Sequence, residues 1–69
     1  MYGKVDNPAT YDLYIDGELK QSKVYKYVEF ADALALEYFK SEYPRSFENS
    51  AIEIVRRVTQ SMVVFQKGG

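Results

Sequence analysis

The dipeptide Asp16-Gly17 constrains this chain more than any other feature. Ahead of it, residues 10–15 alternate, with Tyr11, Leu13 and Ile15 in one phase and Asp12 and Tyr14 in the other. After it, residues 18–30 carry Val24, Tyr25, Tyr27, Val28 and Phe30, side chains that suit a pleated, half-buried surface. Asp-Gly accepts the positive φ angles of a type I′ turn, whose twist matches that of paired strands. The two runs are therefore expected to form a hairpin.

At Ala31-Asp32 the apolar period changes from two to about 3.6. Ala35, Leu36, Phe39 and Tyr43 then fall on one helical stripe, while Glu37, Lys40 and Glu42 face away. Asp32 is placed to cap the helix, and Pro44 should stop it by about Tyr43, because the residue before a proline is pushed out of the helical region. Residues 45–50 read as a polar loop anchored by Phe47. Two further strands are expected, 51–58 with Ile52, Ile54 and Val58 alternating against Glu53 and Arg57, and 62–66 with Met62, Val63, Val64 and Phe65.

The order is ββαββ, which predicts an α+β fold: a four-stranded antiparallel sheet with one helix across one face. Sixty-nine residues suffice for a single domain, 1–69, with residues 1–8 as a short arm and 67–69 as a flexible tail. Hydrophobic residues at 46% and charged residues at 28% are the proportions of a chain that folds. No basic segment followed by an apolar run opens the sequence, and no stretch approaches the ~20 apolar residues of a membrane span, so a cytoplasmic location without membrane contact is expected.

The residue inventory removes most chemistries. The chain has no Cys and no His, which leaves serine without its usual base and zinc without its usual ligands. Ser22-Lys23 and Ser41 beside Lys40 are the only local Ser-Lys pairs, and neighbours on a strand point to opposite faces. Asp12, Asp16 and Glu18 lack the spacing of a calcium loop and read as a turn and a solvated edge. Four glycines, at 3, 17, 68 and 69, build no phosphate loop. The chain is expected not to be an enzyme, with no catalytic residues, no cofactor, no metal and no small-molecule substrate.

The sheet, by contrast, has more apolar residues than one helix can cover. If the turn holds two residues and the ladder is regular, Tyr11, Leu13 and Ile15 share the helix-covered face with Val24, Val28 and Phe30. The opposite face then collects Tyr14, Leu19, Tyr25 and Tyr27, joined on the third strand by Val55 and Arg57. A bulge near Leu19 would reverse everything after it, and Lys20, Ser22 and Lys26 sit awkwardly on the covered face.

An exposed Tyr-rich apolar patch is the usual mark of a protein interface. These six residues are therefore the expected contact set of a non-catalytic protein-binding module, docking on a partner protein or a second copy as a homodimer. In size and Tyr content the chain resembles small phage or mobile-element accessory and inhibitor proteins, although no motif selects a family. The alternative is a nucleic-acid-binding domain in which Tyr25 and Tyr27 stack on bases while Lys23, Lys26, Arg56 and Arg57 hold phosphates. Parity sends Lys26 and Arg56 to the other face, and a net charge of −1 supplies no general attraction to phosphate.

Overall fold

A computed structural model of the chain describes residues 8–26 and 30–68. Its elements run β1 (Ala9–Ile15), β2 (Glu18–Tyr25), α1 (Ala31–Glu42), α2 (Pro44–Asn49), β3 (Ile52–Arg57) and β4 (Ser61–Lys67). The four strands form one antiparallel sheet in the order β2-β1-β3-β4. The fold is thus the expected α+β class, with β1 and β3 at its centre.

The hairpin turn forms where Asp-Gly places it. Asp16 and Gly17 have φ of 53° and 82°, the doubly left-handed pair that a type I′ turn requires. Asp16 also fastens the turn to the far end of the chain: its Oδ1 accepts the Ala51 N–H at 3.1 Å, and its own N–H donates to the Ala51 carbonyl.

Two residues after the turn, the ladder slips. Leu13 stands opposite Gln21 and Tyr14 opposite Leu19, which leaves Lys20 as the extra residue of a β-bulge. Beyond Lys20 the odd positions Gln21, Lys23 and Tyr25 are half-buried, and the even positions Ser22, Val24 and Lys26 are exposed. This corrects the regular register expected from the turn. Val24 lies on the uncovered face, 58% exposed, and Tyr25 lies on the covered one. The bulge moves Lys20 and Ser22 off positions that would have buried them.

A second bulge sits in β4, where Ile54 opposes Phe65 but Val55 opposes Val63, so that Val64 is the extra residue. It explains the run apolar in both phases. Val64 and Phe65 both pack against the core, while Val63 is left 46% exposed.

α1 buries Ala31, Ala35 and Phe39 against Tyr11, Leu13, Ile15, Ile52 and Ile54. Leu36, Tyr38 and Tyr43 close its flanks. Asp32 does not cap the helix: Phe30 holds that position without a side-chain bond. The Asp32 carboxylate instead accepts the Tyr11 hydroxyl and pairs with Arg56, at 3.0 Å from both oxygens. Charge-assisted partners outcompete a backbone N–H there, and the negative charge still favours the helix N-terminus.

α1 ends at Glu42, as Pro44 demands, but the expected loop is a second helix. Pro44 stands in its first turn, where the missing N–H costs nothing and the fixed φ favours a new start. Phe47 is buried and stacks on Phe65, ring centroids 5.9 Å apart, so α2 covers the β4 side of the sheet. The second strand ends at Tyr25 rather than reaching Phe30, which is 69% exposed before α1. Tyr27 and Val28, expected in that strand, lie outside the described residues.

Candidate protein-binding face

Both helices lie on one side of the sheet, so among the described residues the other side carries only what the strands present. Alternation along β1 puts Thr10, Asp12 and Tyr14 on that side, because Tyr11, Leu13 and Ile15 are in the core. Pairing extends the set across the sheet. Val24, Thr10, Arg57 and Ser61 form one row; Ser22, Asp12, Val55 and Val63 form the next; Leu19, Tyr14, Glu53 and Gln66 form the third.

Of the six residues expected here, Tyr14, Leu19, Val55 and Arg57 are brought together on this face. Tyr14 is flanked by Leu19 on β2 and Glu53 on β3, and Val55 stands between Asp12 and Val63. Tyr25 is a correction. It packs on the helix side, edge-on to Tyr11 with ring centroids 5.8 Å apart, its hydroxyl donating to the Leu34 carbonyl at 3.4 Å. Burial and the neighbouring Tyr38 raise its pKa above the ordinary 10.0. Tyr27 lies outside the described residues.

The centre of the face is ionic. Asp12 is buried, its Oδ1 accepting the Ser22 hydroxyl at 2.6 Å and its Oδ2 the Arg57 Nε at 2.6 Å. The Arg57 bond pulls the carboxyl below its ordinary 3.8, Ser22 adds to the effect, and burial opposes them. A strand-edge role for Asp12 is therefore corrected: it sits on a central strand, sealed beneath the Arg57 guanidinium. Around this neutral pair lie the exposed aliphatic side chains of Leu19, Val24 and Val63 at 52%, 58% and 46%.

Val24 and Val63 thus belong to the face without having been expected in it, while Asp12, which shares the phase of Tyr14, is there as expected but buried rather than solvated. For Val24 the available signal was the poor fit of Lys20 and Ser22 to a covered face. For Asp12 the partner is 45 residues away, and no local pattern announces it.

The residues that a nucleic-acid surface would use are scattered. Lys23 Nζ lies on the helix side, 4.7 Å from the Tyr38 ring centre and 5.4 Å from that of Tyr25. Arg56 is held by Asp32 on that same side, and Arg57 is held by Asp12 on the other. No helix among the described residues is long and apolar enough to cross a membrane. In comparisons with known proteins, no family model matches the chain, and neither the curated proteins nor the solved structures contain a match.

Proposed function

We propose that the chain is a non-catalytic protein-binding module whose open sheet face docks on a partner protein. The observation that carries this reading is the exposure of Leu19, Val24 and Val63 on the one side of the sheet that neither helix covers. Antiparallel sheets commonly leave a face to water, but such faces are ordinarily polar. Here aliphatic side chains ring an already neutralised ion pair, so a partner can cover the centre of the face without stripping water from an unpaired charge, and Glu53 beside Tyr14 is left for a polar contact.

The area argues for a different protein rather than a second copy. Four strands ~4.8 Å apart and about six residues long at ~3.3 Å each give a footprint of roughly 400 Å². A stable interface takes about 800 Å² from each partner. Two copies meeting face to face fall short, whereas a larger partner can reach beyond the sheet. By occupying part of such a partner's surface, the chain acts as a block or a tether.

Leu19→Glu combined with Val24→Glu tests the proposal, because both sites are exposed and the core is untouched. Wild-type and variant chains are used as bait in a lysate of the source organism, and retained proteins are identified by mass spectrometry at low and moderate salt. The expected result is a protein held by the wild type at both salt levels and lost by the variant. Equal capture by the two chains would overturn it, as would retention of nucleic acid that weakens steeply with salt.

A further inference from the structure

The two edges of the sheet are unequal. β2 carries Glu18, Lys20 and Lys23, with a bulge at Lys20, and charges and bulges are the ordinary guards of an open edge. β4, at the other edge, has a single charged residue, Lys67, in the sequence SMVVFQK. Its bulge at Val64 interrupts the ladder, but beyond it Phe65, Gln66 and Lys67 pair regularly with Ile54, Glu53 and Ile52. Alternate residues of that stretch turn their N–H and C=O groups away from β3, toward no neighbouring strand among the described residues.

Beside this stretch, on the helix side, is a hollow of about 360 Å³ lined by Lys40, Pro44, Phe47, Glu48, Phe65 and Lys67. Its floor is aromatic, the stacked pair Phe47 and Phe65. Its rim carries two cations and one anion. Lys67 Nζ donates only to the carbonyls of Ser50 and Gly68, at 3.2 and 3.3 Å, and neither Lys40 nor Lys67 forms an ion pair among the described residues.

We propose that the β4 edge and this hollow form a second docking surface, which takes an extended acidic-apolar segment of a partner protein. The segment pairs with residues 65–67 as a fifth strand, sets an apolar side chain over Phe47 and Phe65, and brings a carboxylate to Lys40 and Lys67. Main-chain bonds supply the affinity in such strand addition, and pockets for alternate side chains supply the selectivity. Charge selects this occupant over a second copy: β4 has no acidic residue, so two β4 edges would set lysine against nothing of opposite sign. The surface is separate from the open face and does not rest on it.

The test is an amide-resolved NMR titration of the full chain with a blocked octapeptide alternating Val and Phe with Glu, and with its counterpart carrying Lys for Glu. The acidic peptide is expected to shift the amides of residues 65–67, to protect those among them that point away from β3, and to shift Phe47. Lys40→Glu should weaken it roughly tenfold and Glu48→Lys should strengthen it, while Leu19→Glu with Val24→Glu leaves it unchanged. Equal binding of the basic peptide overturns the proposal. So do shifts confined to the open face, an absence of shifts at millimolar peptide, or sedimentation showing that a second copy occupies β4.

Discussion

Arg57 on β3 sets its Nε 2.6 Å from Oδ2 of Asp12 on the neighbouring β1, and its second guanidinium nitrogen 3.2 Å from Oδ1. The pair is lopsided: the Asp12 side chain is 6% exposed and that of Arg57 52%. Removing either partner therefore has unequal consequences. Arg57→Met leaves a covered carboxylate with only the Ser22 hydroxyl and should cost about 1–3 kcal/mol. Asp12→Asn keeps an acceptor for Ser22 and frees Arg57 into water, so it should cost less. Urea melts of the two variants at neutral pH check the order, and a larger loss for Asp12→Asn would contradict it.

The same pair makes an acid-range prediction. The native Asp12 carboxyl lies below its ordinary 3.8, so the unfolded chain takes up a proton first as the pH falls. The stabilisation is complete above about pH 4 and is lost as the pH drops through the depressed native value. Arg57→Met removes the main cause of the shift. Between neutral pH and about pH 3 the variant should lose less stability than the wild type, and parallel losses would show that Arg57 does not hold Asp12 ionised.

At the opposite end of the scale the relevant group is Tyr11. Burial first, then its bond to the Asp32 carboxylate, pushes the hydroxyl up to about 12 from 10.0. A raised native value means that this contribution is whole below about pH 10 and fades toward the native value, because the unfolded tyrosine ionises first. Tyr11→Phe should cost about 1 kcal/mol at neutral pH, since Arg56 still satisfies Asp32, and should flatten the alkaline loss of stability. Thermal melts across the alkaline range measure both effects.

Gly17 tests the turn on which the hairpin depends. At φ 82° a valine is strained whatever the space around it, and nothing lies within 4 Å of the Cβ it would add. Gly17→Val should therefore destabilise through backbone strain alone, by roughly 1–2 kcal/mol. A variant as stable as the parent would mean that the turn relaxes without cost.

The elements most legible in the sequence are those with a local cause. Asp16-Gly17 demands its turn, and Pro44 ends α1. The placement of Tyr14 and Leu19 followed from parity counted outward from that turn, before any slip intervenes. What parity could not carry was the single residue Lys20. A bulge is decided by which of two faces better accommodates everything beyond it, and that depends on α1 offering Tyr38 and Leu34 to Tyr25. The poor fit of Lys20 and Ser22 was the visible symptom. Asp12 lay beyond reach for another reason, because its burial depends on Arg57 from a strand that meets β1 only in the folded sheet.

The bulge gives the sharpest prediction, because it exchanges the roles of two adjacent residues. Tyr25 is half-buried against Tyr11, with Lys23 over its ring, whereas Val24 is 58% exposed on the open face. Under a regular ladder the assignments would be reversed. Tyr25→Ser removes an aromatic side chain that packs against the core, and a loss of about 2–4 kcal/mol is expected, somewhat below that of a fully buried aromatic. Val24→Ser should stay within about 0.5 kcal/mol of the parent, as surface changes usually do. Deleting Lys20 removes the extra residue but keeps the pairs from Leu13–Gln21 to Ala9–Tyr25, so Tyr25 stays toward α1 and Val24 stays on the open face. That deletion should therefore be tolerated and cost less than Tyr25→Ser, whereas in a regular ladder the same deletion would flip every residue beyond it. Denaturant melts of the three variants decide between the registers: a harmless Tyr25→Ser beside a damaging Val24→Ser would place the ladder in its regular form and take Val24 off the binding face.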